Sequence, residues 1–271
     1  MAKIRKFFYR LKDEGYSNWV FIFPSMILLA VFALPLAALV LRSINPNFFN
    51  DAFSEQAFKA LKLSLVTSSI TTIVAVVFGT PLAYILARWK IKHKSWIELL
   101  LDLPIVLPPS VAGLALLIAF GRRGLFGSTL SLLGISLPFT TAAVVLAQTF
   151  VAAPLYVRSA RIGFFQIDKQ LEESAHVEGA NQWQLFSEVM IPLAGRTLIS
   201  GAILTWTRAL GEFGATILFA GNLEGVTQTM TMAFYLGFER NIGVALALSV
   251  ALIFVSIILL MITKKLEKHE D

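Results

Sequence analysis

Long apolar runs follow one another along the chain at 19–41, 61–87, 106–120 with its flanks, 139–157, 194–220 and 242–263. Crossing the hydrocarbon core of a bilayer as a helix takes roughly 20 apolar residues, so six spans are predicted. The third is interrupted by Pro104, Pro108 and Pro109. Proline donates no helical hydrogen bond, and irregular backbone at membrane depth persists only where protein or a polar cavity satisfies it. Two readings stay open there: a broken helix lining a pathway, or an interfacial helix near 99–103 followed by a span that the prolines start.

One segment departs from the apolar pattern. Residues 167–193 carry Asp168, Glu172, Glu173, Glu178 and Glu188. Asp168 suits an N-cap, and Glu172 and Glu173 suit the positive end of the helix that follows. Gly179 suits the left-handed position that ends it. A second short helix is predicted after it, with Trp183, Phe186 and Met190 at helical spacing and Pro192 ahead of the next span. A helix-turn-helix knob results. Segments that lie on lipid are usually rich in Lys and Arg, whereas this one is acidic, which favours a surface that docks another protein.

Charge sets the orientation. The N-terminus (Lys3, Arg5, Lys6, Arg10, Lys12), the second loop (Arg88, Lys90, Lys92, Lys94), the knob and its edges (Arg158, Arg161, Lys169, Arg196) and the tail (Lys264, Lys265, Lys268) hold sixteen cations. The opposite side holds six: Arg42, Lys59, Lys62, Arg122, Arg123 and Arg240. Positive residues stay on the cytoplasmic side, so both termini and the knob are expected there, in a multi-pass membrane protein. The expected organisation is a cytoplasmic N-terminus at 1–18, one transmembrane domain at 19–263 with the knob at about 164–193, and a cytoplasmic tail at 264–271.

Composition agrees with this class: 56% hydrophobic residues, 15% charged and a mean hydropathy of +0.73. The net charge of +6 follows from topology and does not argue for nucleic acid. There is no cysteine, hence no disulfide or thiolate metal site, and His93, His176 and His269 lack ligand spacing. No phosphate-binding Gly-x-x-x-x-Gly-Lys-Ser/Thr loop occurs. No metal, cofactor or catalytic group is expected, and if the protein does work, its energy comes from another chain.

The knob resembles a known pattern. Glu173-Ser174-Ala175, then Gly179, then Ile191-Pro192-Leu193 is similar to the Glu-Ala-Ala…Gly loop of the permease subunits of binding-protein-dependent ABC importers, with Ser174 in place of the first alanine. The resemblance implies that Glu173, Ala175, Gly179 and Pro192 belong to a coupling loop seated in cytoplasmic ATPase subunits. Arg208-Ala209-Leu210-Gly211-Glu212-Phe213-Gly214-Ala215-Thr216 looks like the signature of the molybdate and sulfate permeases. The 103–109 segment, followed by Gly121-Arg122-Arg123-Gly124, resembles the molybdate branch more. The resemblance, which runs from about residue 61 to the tail, implies an all-α importer subunit for molybdate or tungstate, with sulfate or thiosulfate as the alternative. It also implies an extracytoplasmic binding protein and a second copy as partners.

Arg208 and Glu212 stand four residues apart, so one helix face is expected to hold both. Counting about 1.5 Å per residue from Arg196 puts Arg208 roughly 18 Å along the fifth span. An ionisable residue at that depth faces the bundle interior or a wet cavity. The pathway candidates are therefore Arg208, Glu212, Thr216, Pro108, Pro109 and Ser110, with Arg122 and Arg123 at an outer mouth. The hydroxyls of Thr67, Ser68, Ser69, Thr71 and Thr72 are expected to bond within their own helix or between helices. The 221–240 stretch is expected to be an outer loop with a short amphipathic helix at 227–238, facing the binding protein. An ion-coupled carrier is a rival that Arg208 and Glu212 keep open, but such a carrier has no need of the acidic knob.

Overall fold

A computed structural model describes residues 16–267 apart from 45, 47 and 53. The N-terminal cations from Lys3 to Lys12, and Lys268 and His269 of the tail, lie outside the described residues. The helices run α1 (Tyr16–Ser43), α2 (Phe48–Ala52), α3 (Glu55–Arg88), α4 (Lys94–Val106), α5 (Pro109–Phe120), α6 (Gly127–Leu132), α7 (Thr141–Gln166), α8 (Lys169–Val177), α9 (Gln182–Leu210), α10 (Gly214–Phe219), α11 (Met230–Arg240) and α12 (Ile242–Glu267). The protein is all-α, as expected.

Among the described residues, four helices are long and apolar enough to cross a bilayer alone: 19–43 within α1, then α3, α7 and α9. The pair α4 and α5 passes together, bent by 116°, and α12 extends over 26 residues. Pro108 caps α5 and Pro109 is its first residue, and α5, at about 18 Å, is too short to cross the core by itself.

Three apolar clusters hold the bundle together. Ala83, Tyr84, Tyr156, Phe164, Leu185 and Met190 join α3, α7 and the start of α9. Ala112, Leu116, Val144, Ala147, Ala215 and Phe219 join α5, α7 and α10. Ala57, Ala60, Met230, Ala233 and Leu248 join α3, α11 and α12. Alanine recurs because lipid tails are as apolar as leucine, so close backbone approach and dispersion bind such helices to each other. By contrast, the membrane-length part of α1 buries none of its most apolar window in the rest of the chain.

Three sequence expectations are corrected here. The fifth span is not one helix through residue 220: α9 stops at Leu210, and Gly211 to Phe213 interrupt it before α10. The second knob helix is not separate either, since residues from Gln182 run continuously into the span. They do so through one widened turn at Leu185–Met190, where the Ile191 N–H bonds to the Phe186 carbonyl. Pro192 has no N–H to give and its ring crowds the carbonyl four residues back, so a widened turn just before it absorbs the misfit. Finally, the helix expected at 227–238 begins at Met230, and Met230, Met232, Ala233 and Gly237 are buried in the bundle. The exposed rim of that stretch is Leu223 to Val226.

Candidate functional site

The knob is a short helix with its back to the bundle. Asp168 Oδ1 accepts from the Gln170 N–H at 3.0 Å, capping α8 as expected. Gly179 has φ +89°, and the Ala180 N–H closes the turn on the Ala175 carbonyl at 2.9 Å. Asn181 then opens α9 by accepting from the Trp183 and Gln184 N–H groups while the Gln184 side chain accepts from the Asn181 N–H. This reciprocal cap starts a helix without tertiary help.

The two glutamates of α8 have different surroundings. Glu172 turns inward to Arg88 at the end of α3, 2.8 Å away, with side-chain exposures of 19% and 6%. The pair acts through charge rather than an aligned hydrogen bond. Arg88 also donates to the Ile167 carbonyl at the end of α7, so one guanidinium ties together α3, α7 and the knob. The sequence reading assigned Arg88 to topology alone. Its pairing with Glu172, 84 positions away, has no local signal. Glu173 is exposed, as are Leu171, Val177 and Trp183, at 46%, 89% and 71%. Ala175 packs inward on the α3–α7–α9 cluster. Pro192 lies on the body of α9 beyond the widened turn, apart from the knob's tip.

The second constellation is the interruption between α9 and α10. Arg208 Nη1 lies 2.6 Å from Glu212 Oε2. The pair forms as expected, although not on a continuous helix face. Glu212 sits in the interruption, 1% exposed, and its other oxygen accepts from the Ala215 N–H at 2.8 Å. One carboxylate thus neutralises the cation ending one helix and satisfies a free N–H at the start of the next. The Glu212 carbonyl accepts from Thr231 Oγ1 at 2.8 Å, which holds the interruption to the first turn of α11. Thr216, one turn on, is fully buried with its hydroxyl unpaired.

Proline residues of the bent pair meet this interruption. A Cβ on Gly214 would lie 2.7 Å from Pro109 Cβ and 3.2 Å from the Ser110 N atom. One on Gly113 would lie 2.7 Å from the Ala215 carbonyl oxygen. Only glycine at both positions lets α5 and α10 pack this closely. The structure therefore brings Pro109 and Ser110 beside the segment holding Glu212 and Thr216, while Arg122 and Arg123 stand at the far end of α5, exposed. Arg122 lines a surface cavity of about 350 Å³ with Phe120, Leu130 and Ile135. The hydroxyls of α3 bond as expected: Thr72 to the Ser68 carbonyl at 2.8 Å, Thr71 across to Gln148 at 3.1 Å, and Ser69 as acceptor from Trp206 at 3.1 Å.

Several apolar helices of spanning length define a polytopic membrane protein. The family model for the binding-protein-dependent transport system inner membrane component matches residues 75–269, and the chain belongs to that family. The molybdenum transport system permease protein ModB of Mycobacterium tuberculosis is 39% identical over 239 residues, covering 88% of this chain and 90% of that one. The molybdate/tungstate transport system permease protein WtpB of Thermococcus kodakarensis is 32% identical over 246 residues, covering 90% and 92%. A bacterial ABC transporter involved in import of the acidic polysaccharide alginate has the same fold, with a TM-score of 0.76 at 17% identity over 97% of this chain and 98% of that one. The chain is a multi-pass prokaryotic membrane protein and a transport subunit, not a catalytic one.

Proposed function

We propose that this chain is the transmembrane permease of an ATP-driven importer of molybdate, with tungstate as an equivalent substrate. The observation that carries the transport reading is the knob: an acidic, partly apolar projection whose inner carboxylate is braced by Arg88 while Glu173, Val177 and Trp183 stay free. A surface so organised suits a basic-rimmed groove on a cytoplasmic ATPase subunit. The substrate reading is supported by the names of the relatives at 32% to 39% identity. An extracytoplasmic molybdate-binding protein and a second copy of this chain complete the assembly, with no nucleic acid involved.

In this reading the organisation is an N-terminus at 1–18, six spans within 19–263, the coupling loop at about 164–193 and a tail at 264–271. Both termini and the knob are cytoplasmic by the distribution of Lys and Arg. ATP binding closes the ATPases and moves the knobs, and α9 carries that displacement to the interruption because it runs unbroken from Gln182 to Leu210. Arg208, a third exposed, offers a charge-assisted donor to a dianion, and Glu212 keeps the anion from binding too tightly to leave. Thr216, Pro108, Pro109 and Ser110 line the same level, and Arg122 and Arg123 attract the anion at the outer mouth.

The test is uptake by vesicles holding the chain with its ATPase and binding protein. Molybdate and tungstate are expected to stimulate ATP hydrolysis and sulfate far less. Glu173→Lys is expected to abolish uptake while leaving the fold intact, since Glu173 is exposed and surface changes usually stay within about 0.5 kcal/mol. Full uptake by Glu173→Lys sinks the docking assignment, and stronger stimulation by sulfate moves the substrate to the sulfate branch.

A further inference from the structure

A groove runs along the outside of the bundle between α3, α4 and α7. Its apolar part is a chamber of about 270 Å³ whose walls include Phe78, Leu100 and Phe150. Phe78 and Leu100 are 72% and 68% exposed, so the chamber opens outward, away from the packed centre. Its other part is a polar recess of about 70 Å³ lined by Glu98, Asp102, Arg158 and Arg161. Leu101, Pro154 and Val157 wall both parts, which sets the apolar chamber and the ionic recess side by side on one surface. The recess lies toward the C-terminus of α7, on the same side as the knob.

The charges of the recess divide into two pairs of different kinds. Arg161 and Glu98 are bound to each other, and Glu98 also meets Lys94 at 3.7 Å. Arg158 and Asp102 make no ion pair or side-chain hydrogen bond among the described residues, with each other or with anything else. One free guanidinium and one free carboxylate therefore face a single small recess beside an apolar chamber. A solvated surface would tolerate this arrangement, but at the edge of a bilayer each charge gains from a counter-charge. A ligand that satisfies both must carry an anion and a cation close together, with an apolar chain attached.

We propose that this groove binds a phospholipid with a zwitterionic aminoethyl headgroup: the phosphate accepts from Arg158, the ammonium donates to Asp102, and one acyl chain lies in the chamber. An anionic glycerol headgroup would gain Arg158 but offer Asp102 only neutral hydroxyl donors and leave its charge uncompensated, so the recess selects for the amine. The site is separate from the knob and from the helix interruption, and it does not depend on which anion is carried. A lipid held there would bridge α4 to α7, and α4 leads directly into the bend at Pro108.

The test uses the full-length chain, delipidated in detergent and offered equimolar phosphatidylethanolamine and phosphatidylglycerol with the same acyl chains, with bound lipid counted by native mass spectrometry. The expected result is one phosphatidylethanolamine per chain, preferred about tenfold, the scale of one hydrogen bond to a charged group. Asp102→Asn is expected to erase the preference while keeping binding, and Arg158→Gln to weaken both lipids about tenfold. Both side chains are exposed and unpaired, so neither change threatens folding, which gel filtration verifies. Equal retention of the two lipids by the unaltered chain overturns the proposal. So does unchanged retention by both variants, and so does a groove that holds no lipid, which would leave it to a second copy of the chain.

Discussion

The knob and the helix interruption each use an Arg–Glu pair, and the two pairs do opposite things. At the knob, Arg88 and Glu172 are distant in sequence and anchor a projection from behind, so that its outer face is free. At the interruption, Arg208 and Glu212 are four residues apart and turned inward, and Glu212 also caps the next helix. The first pair positions an exposed surface, the one proposed above to meet a partner. The second holds a helix break together, its carboxylate accepting from an N–H that the break leaves without a helical partner. The comparison teaches that the same chemistry braces a projection where both partners are mostly buried and caps a helix break where only the carboxylate is, its guanidinium staying a third exposed.

The largest effect is expected from breaking the second pair on one side. Arg208→Ala leaves the 1% exposed Glu212 carboxylate without its cation, a loss of about 3–5 kcal/mol for a buried pair. Thermal denaturation of the purified chain should show it. Arg208→Gln with Glu212→Gln removes both charges and keeps a polar side chain able to accept from the Ala215 N–H, so assembly is expected to return. A double variant that assembles but moves no anion identifies the pair as part of the pathway, and one that transports normally reduces it to a structural element.

A smaller effect is expected at the strut behind the knob. Glu172→Ala leaves Arg88 facing a partly wet site with its carbonyl contact to Ile167 intact, so the expected cost is about 1–3 kcal/mol. Its distinctive sign is local: faster proteolysis or amide exchange in 167–181, with the rest of the bundle protected. Uniform loosening of the whole chain would mean that Arg88–Glu172 is no strut but part of the core.

The smallest expected effect is at Gly179. No atom lies within 4 Å of a Cβ built there, so Gly179→Ala pays only the backbone cost of φ +89°, about 1–2 kcal/mol. Gly179→Asn is expected to cost less, because asparagine tolerates that conformation. If both variants were equally destabilised in thermal unfolding, something other than backbone conformation would be holding the turn.

Much of this was legible in the sequence because it depends on local chemistry. Asp168 caps α8 and Gly179 ends it because a side-chain acceptor and a missing Cβ act over a few residues. Pro104, Pro108 and Pro109 announced a disturbance, but the 116° bend depends on how α5 packs against α10. The interruption at Gly211 to Phe213 was missed because apolar residues continue on both sides, and hydropathy is blind to whether a run is one helix or two. The four-residue spacing of Arg208 and Glu212 found the right pair for an incomplete reason, since the chain leaves the helix between them.

The sequence alone determined that this protein lives in a membrane and where along the chain its acidic projection lies. Each of these depends on transfer free energies and caps that act residue by residue. The tertiary structure decided that α11 is buried, that Arg88 reaches Glu172, that Pro109 meets Gly214, and that Arg158 and Asp102 face one recess unpaired. These depend on which helices approach closely, and that is set by small residues and charges far apart in the chain acting together.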